Sequence, residues 1–355
     1  MPTLFDNFYP QAIAMLPELA SLITLLLALL LDRALGEAKR FHYLVGFGWL
    51  ANTLEIKLNP SASTPTKQIS TVKISNVLAT KKAIIKTKLL GVIAWCLLVL
   101  PLPILYYFFI ECLMEHITWY WRILIDATAL YLAIGLNSLH QHAMQIYRPL
   151  KSGDLQNARH FTGYIVSRET AELTEQEMSR ATVESMLENG HDAVMASLVY
   201  FIIGGIPLVI LHRLANTLDA MWGYKTSRFK SFGFFAARAD DALGFISGKI
   251  CTLLYALQQP FLLALKNAYR QGNQYKSHNG GWVMAAGATV MKRTLGGDAL
   301  YHGKAVHSPI LGEGEAISIK DIPRSIVIVQ RAAVLLVLCM FIYQLADYFL
   351  YSLYN

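Results

Sequence analysis

The sequence predicts an all-α, polytopic integral membrane protein. Of its 355 residues, 54% are hydrophobic and only 15% are charged, whereas soluble globular domains carry about 25% charged residues. Four stretches are apolar over the roughly 20 residues that a helix needs to cross a bilayer. Transmembrane strands do not fit, because the apolar runs neither alternate with polar residues nor carry turn residues at strand spacing. The four predicted crossings are residues 12–31, 89–110, 123–143 and 332–350.

Two further apolar segments are interrupted by residues that break helices. Residues 193–211 contain a glycine pair followed by Pro207, and residues 243–265 contain Gly244, Lys249 and a Gln-Gln-Pro sequence. Such interruptions suit half-helices that meet at a bend. We therefore expect about four full crossings plus re-entrant or amphipathic helices. Six full crossings are the alternative.

Basic residues are concentrated between the first two predicted crossings. Residues 32–88 hold ten Lys and Arg against three Asp and Glu, and this excess equals the net charge of +7. Cytoplasmic loops of inner-membrane proteins carry such an excess, which explains these charges before the alternative of a nucleic-acid-binding arm. We therefore expect a multi-pass protein of the cell inner (plasma) membrane, with this loop in the cytoplasm. The larger polar segments share that side, because export of the basic residues in 212–242 would violate the same rule.

The chain is predicted to form one membrane domain, residues 1–355, whose polar segments carry the function. Residues 59–76 are rich in Ser, Thr and Pro and are typical of a flexible loop. The functional loops are expected to be residues 144–192, 212–242 and 266–331.

Residues 144–192 carry helix-start signals and an acidic stripe. One helix starts after Asp154, and Thr174 with Glu177 forms a capping box for a second helix. On that second helix three glutamates fall within about 40° of one another, and Asp192 joins them if the helix continues. Mg²⁺ prefers a few carboxylates together with water and phosphate oxygens, although a solvated acidic face has the same pattern. The three glutamates are Glu177, Glu184 and Glu188.

Residues 212–242 combine both signs of charge with aromatic side chains and glycines. Aromatic residues beside charges also occur in the interfacial belt of ordinary membrane proteins. A binding surface for an anionic, partly apolar ligand explains the density of charge equally well, so both interpretations stay open. The polar residues concerned are Asn216, Asp219, Lys225, Arg228, Arg238, Asp240 and Asp241.

A glycine-rich turn precedes a predicted helix within residues 266–331. The turn reads Ser-His-Asn-Gly-Gly from Ser277 to Gly281, with Asn279 at its centre. Backbone N–H groups at such a helix start form a natural anion site. Neither Gly-Lys pair of the chain has the spacing of a nucleotide-binding P-loop. The turn is therefore a candidate phosphate site that does not belong to the P-loop class.

Four motifs follow one another along the chain: LDRALGEAKRFHYLVGFGWLANTLEIKLN, GDLQNAR, NTLDAMWGYKTSRFKSFGFFAARADDALGFI and SHNGGWVMAA. Together they resemble the cobalamin-biosynthesis CobD/CbiB family, the adenosylcobinamide-phosphate synthases. The third motif is the closest match, and the resemblance extends from about Leu31 to Arg331. The sequence departs from the family pattern where Ala193 replaces a glycine, His278 a proline, and Glu37-Ala38 an Asp-Pro pair.

The resemblance implies an ATP-dependent amide ligation in corrinoid synthesis. The amine of an aminoalkyl phosphate, of the aminopropanol or ethanolamine type, would be joined to the propionate carboxyl of adenosylcobyric acid. The implied cofactors are ATP and Mg²⁺. The implied partners are the corrinoid and the aminoalkyl phosphate, together with membrane lipid. Docking of other cobalamin-pathway enzymes is left open. Nucleic acid is not expected as a partner.

The resemblance also gives the charged residues expected roles, because carboxyl activation needs Mg²⁺, cations on the phosphates and a group that accepts the amine proton. The expected catalytic residues are Asp219, Asp240, Asp241, Glu188 and Asp192. The expected Mg²⁺ ligands are Asp219, Asp240 and Glu184. The expected substrate- and phosphate-binding residues are Asn216, Lys225, Arg228, Arg238, Ser277, Asn279 and Gly281.

Two other classes of function stay open from the residues alone. A non-catalytic membrane regulator resembling AmpE would share the helical scaffold, but it would not need the charge density of the third and fourth motifs. A transporter would use broken helices to line a transport site. Against a transporter, no internal repeat is visible, and the apolar spans lack paired charges apart from Asp126.

Overall fold

The computed structural model describes residues 19–36, 43–62, 77–166, 169–301 and 304–354. Helices dominate this part of the chain, as the sequence predicts. Most of the predicted flexible loop, 59–76, and the first residues of the predicted crossing 12–31 lie outside the described residues.

Thirteen α-helices account for most of the described chain. In chain order they are α1 (Ala20–Leu35), α2 (Tyr43–Leu58), α3 (Val77–Val99), α4 (Pro101–Met114), α5 (Trp119–Ala133), α6 (Leu136–Ser152), α7 (Leu155–Thr162), α8 (Glu175–Gly190), α9 (Ala196–Trp222), α10 (Phe234–Ala256), α11 (Phe261–Gly272), α12 (His278–Met291) and α13 (Asp321–Tyr354). A single π-helical turn, His191–Met195, joins α8 to α9.

Four helical segments of the described chain are long and apolar enough to cross a membrane. They are Lys81–Met114, Trp119–Ser152, Glu175–Trp222 and Asp321–Leu350.

Three of the four segments contain the predicted crossings 89–110, 123–143 and 332–350. The fourth contains the interrupted segment 193–211, which was not among the predicted full crossings. Of the first predicted crossing, the structure describes the 16-residue helix α1. Four such segments are thus found among the described residues, and the predicted crossing 12–31 is described only from residue 19 onward.

Large apolar side chains point away from the protein on these helices. Leu105 is 63% exposed, Phe108 64% and Val334 64%. Contiguous exposed apolar surface of this kind is unfavourable in water and typical of a surface that contacts lipid. The exposure pattern supports a helical membrane protein.

The two interrupted segments break largely where the sequence predicts. Helix α9 is kinked at Gly204 (φ −158°, ψ 26°) and Gly205 (φ 66°, ψ −163°). A positive φ is readily adopted by glycine alone, and Pro207 removes a backbone donor just beyond the kink. In the second segment the break falls between α10 and α11, at the Gln-Gln-Pro sequence, whereas Gly244 and Lys249 lie inside the continuous helix α10.

A small three-stranded sheet is the element that the sequence did not predict. Strands β1 (Arg293–Tyr301) and β2 (Lys304–Gly312) pair antiparallel, and the short β3 (Glu315–Ala316) pairs parallel with β1. The register shifts between Leu295 and Gly297. A glycine with positive φ suits such a bulge, and bulges hide the alternation by which strands are recognised.

Two hydrophobic clusters hold the helices together. The larger one joins α1 and the helices from α5 to α13, and the smaller one joins α2, α3, the second half of α9 and the first turns of α10. Trp222 and Phe232 lie fully buried in the smaller cluster, with ring centroids 5.0 Å apart. This contact closes the connection between α9 and α10 and so fixes the polar residues on both helices.

Candidate functional site

A cavity of about 260 Å³ lies where α8, α9, α10 and α12 meet, and five carboxylates line it. We call it the carboxylate pocket. Its lining residues are Glu188, Asn189, Asp192, Asn216, Asp219, Ala220, Asp240, Asp241, Gly244, Ser277, Asn279 and Gly280. All five residues predicted to be catalytic therefore lie around one cavity.

Helix α8 and the π turn after it deliver two of these carboxylates. The predicted capping box forms, because Thr174 accepts from the backbone N–H of Glu177 and Glu177 accepts from that of Thr174. The helix then runs to Gly190 and continues as the π turn, which places Glu188 and Asp192 on the pocket wall. Such π turns are frequent at functional sites, because they re-aim side chains within a continuing helix.

Helices α9 and α10 contribute the other three carboxylates. Asn216 on α9 donates a hydrogen bond to Asp240 on α10 at 3.2 Å. Arg238, at the exposed rim, lies 3.7 Å from Asp241. The side-chain amide orients one carboxylate, and the guanidinium partly offsets the charge of the other.

The start of α12 closes the pocket. Ser277 caps the helix by accepting from the backbone N–H of Gly280, at 3.3 Å, and Asn279 donates to the backbone carbonyl of Asp241 at 2.8 Å. A Cβ on Gly244 would lie 2.7 Å from the Asn279 amide nitrogen, and a Cβ on Gly280 would lie 2.5 Å from the Glu188 carboxylate. A side chain at either glycine would therefore displace the Asn279 amide or the Glu188 carboxylate from its position at the pocket.

A buried histidine, which sequence reasoning missed, fixes Asp192. His191 Nδ1 lies 2.7 Å from the Asp192 carboxylate, and Nε2 lies 2.9 Å from the Ser247 hydroxyl. His191 is 1% exposed and Asp192 31%. The histidine therefore lies against the buried side of the Asp192 carboxylate, while Asp192 also lines the pocket. In the sequence, only the position of His191 next to Asp192 could have indicated this contact. A histidine beside an aspartate is too common to identify a functional site.

The crowding of carboxylates changes their acidity. Burial, together with the charges of the neighbouring Asp192, Asp219 and Asp241, raises the pKa of Asp240 to about 8, although the hydrogen bond from Asn216 lowers it. A shared proton or a bound cation relieves such repulsion.

Mg²⁺ fits the donor chemistry of this pocket. The lining groups offer carboxylate, amide and hydroxyl oxygens, which are the ligands that Mg²⁺ prefers. Within the described part of the chain, no three acidic, histidine or cysteine side chains are already arranged as a metal-binding group.

Four residues predicted for the site lie elsewhere. Glu184 lies one helical turn before Glu188, closer to the sheet. It accepts a hydrogen bond at 2.8 Å from the backbone N–H of Gly296. Arg228 forms an ion pair with the buried Glu55 on α2. Lys225 is exposed in the connection between α9 and α10.

Gly281 is the fourth of these residues, and it serves packing. A Cβ at this position would lie 2.5 Å from the carbonyl oxygen of Gly272 at the end of α11. Of the residues of the expected anion cradle, Ser277, Asn279 and Gly280 line the pocket, and the backbone N–H groups of Gly280 and Gly281 donate to Ser277. Of the three predicted metal ligands, Asp219 and Asp240 line the pocket and Glu184 does not.

Comparison with known proteins gives one consistent result. A family model described as CobD/Cbib protein matches residues 25–329. The "Cobalamin biosynthesis protein CobD" of Stutzerimonas stutzeri (strain A1501) is 42% identical over 299 residues, which cover 84% of this chain and 90% of the relative. The protein of the same name from Chromobacterium violaceum is 40% identical over 311 residues, or 88% of this chain and 93% of the relative. No solved structure matches the chain.

Proposed function

This chain belongs to the CobD/CbiB family, and on that premise we propose that it is the ATP-dependent ligase that forms adenosylcobinamide phosphate in cobalamin biosynthesis. The substrates would be adenosylcobyric acid and an aminoalkyl phosphate of the aminopropanol type. A role in cobalamin biosynthesis rests on the family, which covers most of the chain. The chemistry of the ligation is our inference from the carboxylate pocket.

The observation that carries the proposal is the convergence of Glu188, Asp192, Asp219, Asp240 and Asp241 on one cavity. Gathering five carboxylates costs free energy through desolvation and mutual repulsion. A protein recovers that cost when the group binds a cation or moves a proton. A non-catalytic regulator on the same scaffold would have no need of such a pocket.

The reaction requires a balanced sequence of group transfers. A carboxylate oxygen of the corrinoid side chain attacks the terminal phosphorus of ATP, which gives an acyl phosphate and ADP. The amine then attacks the acyl carbon, the new C–N bond forms, and inorganic phosphate leaves. The amine nitrogen must lose protons in the process, so a base has to lie beside the attacking nitrogen.

The pocket supplies groups for both steps. Asp219 and Asp240 would hold Mg²⁺, and when bound this ion offsets negative charge on the nucleotide phosphates. Asn216 orients Asp240 for that purpose. Asp192, which His191 contacts on its buried side, is the proposed acceptor of the amine proton.

The size of the pocket limits what enters it. A cavity of about 260 Å³ is smaller than the roughly 300–1,000 Å³ of typical small-molecule sites. Only the reacting ends of the substrates fit, so the corrin ring would stay outside, beside the exposed surface of the helices. Keeping the activated carboxyl in a small cavity also protects it from hydrolysis.

The test is reconstitution of the reaction with purified full-length protein in nanodiscs. Adenosylcobyric acid, MgATP and either aminopropanol phosphate or ethanolamine phosphate are supplied, and ADP and the amide product are measured. We expect equal amounts of both products, which depend on the corrinoid and on the amine. ATP turnover with no amide product, or no turnover from protein that is folded, would reject the ligase assignment.

A further inference from the structure

A second cavity adjoins the carboxylate pocket and has the opposite charge character. Its volume is about 330 Å³, and its polar lining comes from α5, α6, α8, α9 and the turn after α7. Asn189 lines both cavities, and Asp192 and Ala193 lie on either side of the boundary. The polar side chains of the second cavity are Tyr131, Ser138, His142, Tyr164, Ser185, Asn189 and Arg213.

Arg213 carries the charge of this second cavity. Among the described residues that line it, none is Asp or Glu, and Arg213 is the one Lys or Arg. The guanidinium donates to the backbone carbonyl of Asp192 at 3.3 Å and is hydrogen-bonded to Tyr43. These two contacts hold it at the boundary between the two cavities.

The Arg213 guanidinium has a hydrogen-bond donor that no described residue uses. Its Nε atom is buried, and no described residue accepts a hydrogen bond from it. The ion pairs formed by the described residues do not include Arg213. A buried donor without an acceptor is costly, and a planar guanidinium matches the oxygens of a phosphate. The cavity is therefore suited to a small anion.

We propose that the Arg213 cavity binds the phosphate of an aminoalkyl phosphate, whose amine then reaches Asp192 in the carboxylate pocket. The inference rests on the proposed ligase function. A molecule with an ammonium group a few bonds from a phosphate has the same arrangement of charges as the two adjoining cavities. The carboxylates would attract the amine end, and Arg213 would set which end enters which cavity.

Phosphate chemistry alone does not distinguish an aminoalkyl phosphate from a nucleotide. Four probes separate them: O-phosphoethanolamine, ethanolamine, inorganic phosphate and MgATP. Binding of each is measured by calorimetry on full-length protein in nanodiscs, for the wild type, Arg213→Gln and Arg213→Lys. Arg148→Gln, at an exposed position on α6, is the matched control.

We expect Arg213→Gln to weaken the binding of O-phosphoethanolamine about tenfold or more, as for loss of one charge-assisted hydrogen bond. Binding of ethanolamine and MgATP should not change, and inorganic phosphate should compete with O-phosphoethanolamine in the wild type. Unchanged O-phosphoethanolamine affinity in Arg213→Gln would overturn the proposal. Loss of MgATP binding in that variant would overturn it too, in favour of a nucleotide site.

Arg213→Lys keeps the charge but not the fork of donors, so we expect a smaller loss of O-phosphoethanolamine affinity. If Arg213→Gln does not fold, the lysine variant decides alone, and wild-type affinity would refute the proposal. The ligase function is judged separately. If the Arg213 variants form the amide with an unchanged KM for the aminoalkyl phosphate, the proposed phosphate site is refuted and the ligase function is not. If binding depends on Arg213 but no amide forms, the ligase function is refuted and the site is not.

Discussion

Asn216 and Asp240 join two consecutive helices, because the Asn216 side-chain amide donates to the Asp240 carboxylate across 3.2 Å. The connection between the same two helices is also closed by the contact between Trp222 and Phe232, whose rings pack in the smaller hydrophobic cluster. A polar contact and an aromatic one thus fix the same pair of helices. The carboxylates of this region consequently have defined positions before any ligand binds.

Replacement of Asp219 or Asp240 by asparagine should abolish ligation and leave the fold intact. Each change keeps the shape of the side chain and removes a charge from the pocket, so we expect kcat/KM to fall by about 100-fold or more, as for loss of an electrostatic or acid–base group. The reconstituted reaction measures this. Asp298→Asn is the control, since Asp298 lies on β1 and its side chain is 78% exposed. Near wild-type rates in both pocket variants would remove these residues from the mechanism.

The stability of the metal-free protein should fall as the pH rises from about 4 to about 8. Asp240 has a pKa of about 8 in the folded protein because burial and neighbouring carboxylates favour its protonated form, whereas an unfolded aspartate has a pKa of about 3.9. The folded state therefore binds more protons in this range, and the contribution of Asp240 to stability is lost as the pH passes the folded pKa.

Thermal unfolding between pH 6 and pH 9, in the presence of a chelator, measures this contribution. The Asp240→Asn variant should unfold with a smaller dependence on pH than the wild type, and the difference isolates Asp240 from the other carboxylates. Parallel curves for the two proteins would contradict the assigned shift.

Several parts of this structure could be predicted because they depend on local chemistry. The capping box at Thr174 and Glu177, the kink at Gly204 and Gly205, and the break before Pro260 all follow from the conformations that these residues adopt on their own. For residues 212–242 we predicted that aspartates and basic side chains lie together; the aspartates line one cavity, whereas Arg228 pairs with Glu55 and Lys225 is exposed. That prediction rested on the charge of residues 212–242 and on the family resemblance.

Other features depend on contacts between distant residues and were not predictable from spacing. Arg228 pairs with Glu55, which lies 173 positions earlier in the chain. Glu184 and Glu188 share one face of α8, yet the helix passes from the pocket to the sheet between them, so only Glu188 lines the cavity. The sheet itself escaped prediction because two glycines and a bulge interrupt its first strand.

Gly244→Ala should disturb the pocket, whereas Gly46→Ala should not. A Cβ on Gly244 would lie 2.7 Å from the Asn279 amide nitrogen, and nothing lies within 4 Å of a Cβ on Gly46. Asn279 would have to move away from Asp241, to which it donates a hydrogen bond. We expect the ligation rate to fall about tenfold or more in Gly244→Ala, because small displacements of catalytic groups are costly. Equal rates in the two variants would show that the tight contact at Gly244 is not needed.

Arg228→Gln should lower stability with little effect on substrate binding. Glu55 is 1% exposed, and its partners are Arg228 and Asn59. Loss of the guanidinium leaves a buried carboxylate without its counter-ion, which costs about 3 kcal/mol. Glu55→Gln combined with Arg228→Gln should recover much of that loss, because the buried charge is then absent. Chemical or thermal unfolding of the single and double variants measures the coupling. A raised KM for MgATP in a stable Arg228→Gln protein would instead restore Arg228 to the list of phosphate-binding residues.

The carboxylate pocket should face the cytoplasm, where ATP is present. Ser227 is exposed in the connection between α9 and α10, and His116 is exposed in the short connection before α5. The basic residues around Ser227 favour the cytoplasmic side, and the acidic residues around His116 permit the opposite side. Single cysteines at these two positions, in a chain whose four native cysteines are replaced, report the orientation with a membrane-impermeant thiol reagent. In intact cells we expect labelling at position 116 and none at position 227, with the reverse in inverted vesicles. Labelling of position 227 from outside would separate the pocket from the cell's ATP, and the ligase mechanism would then have no source of phosphoryl groups.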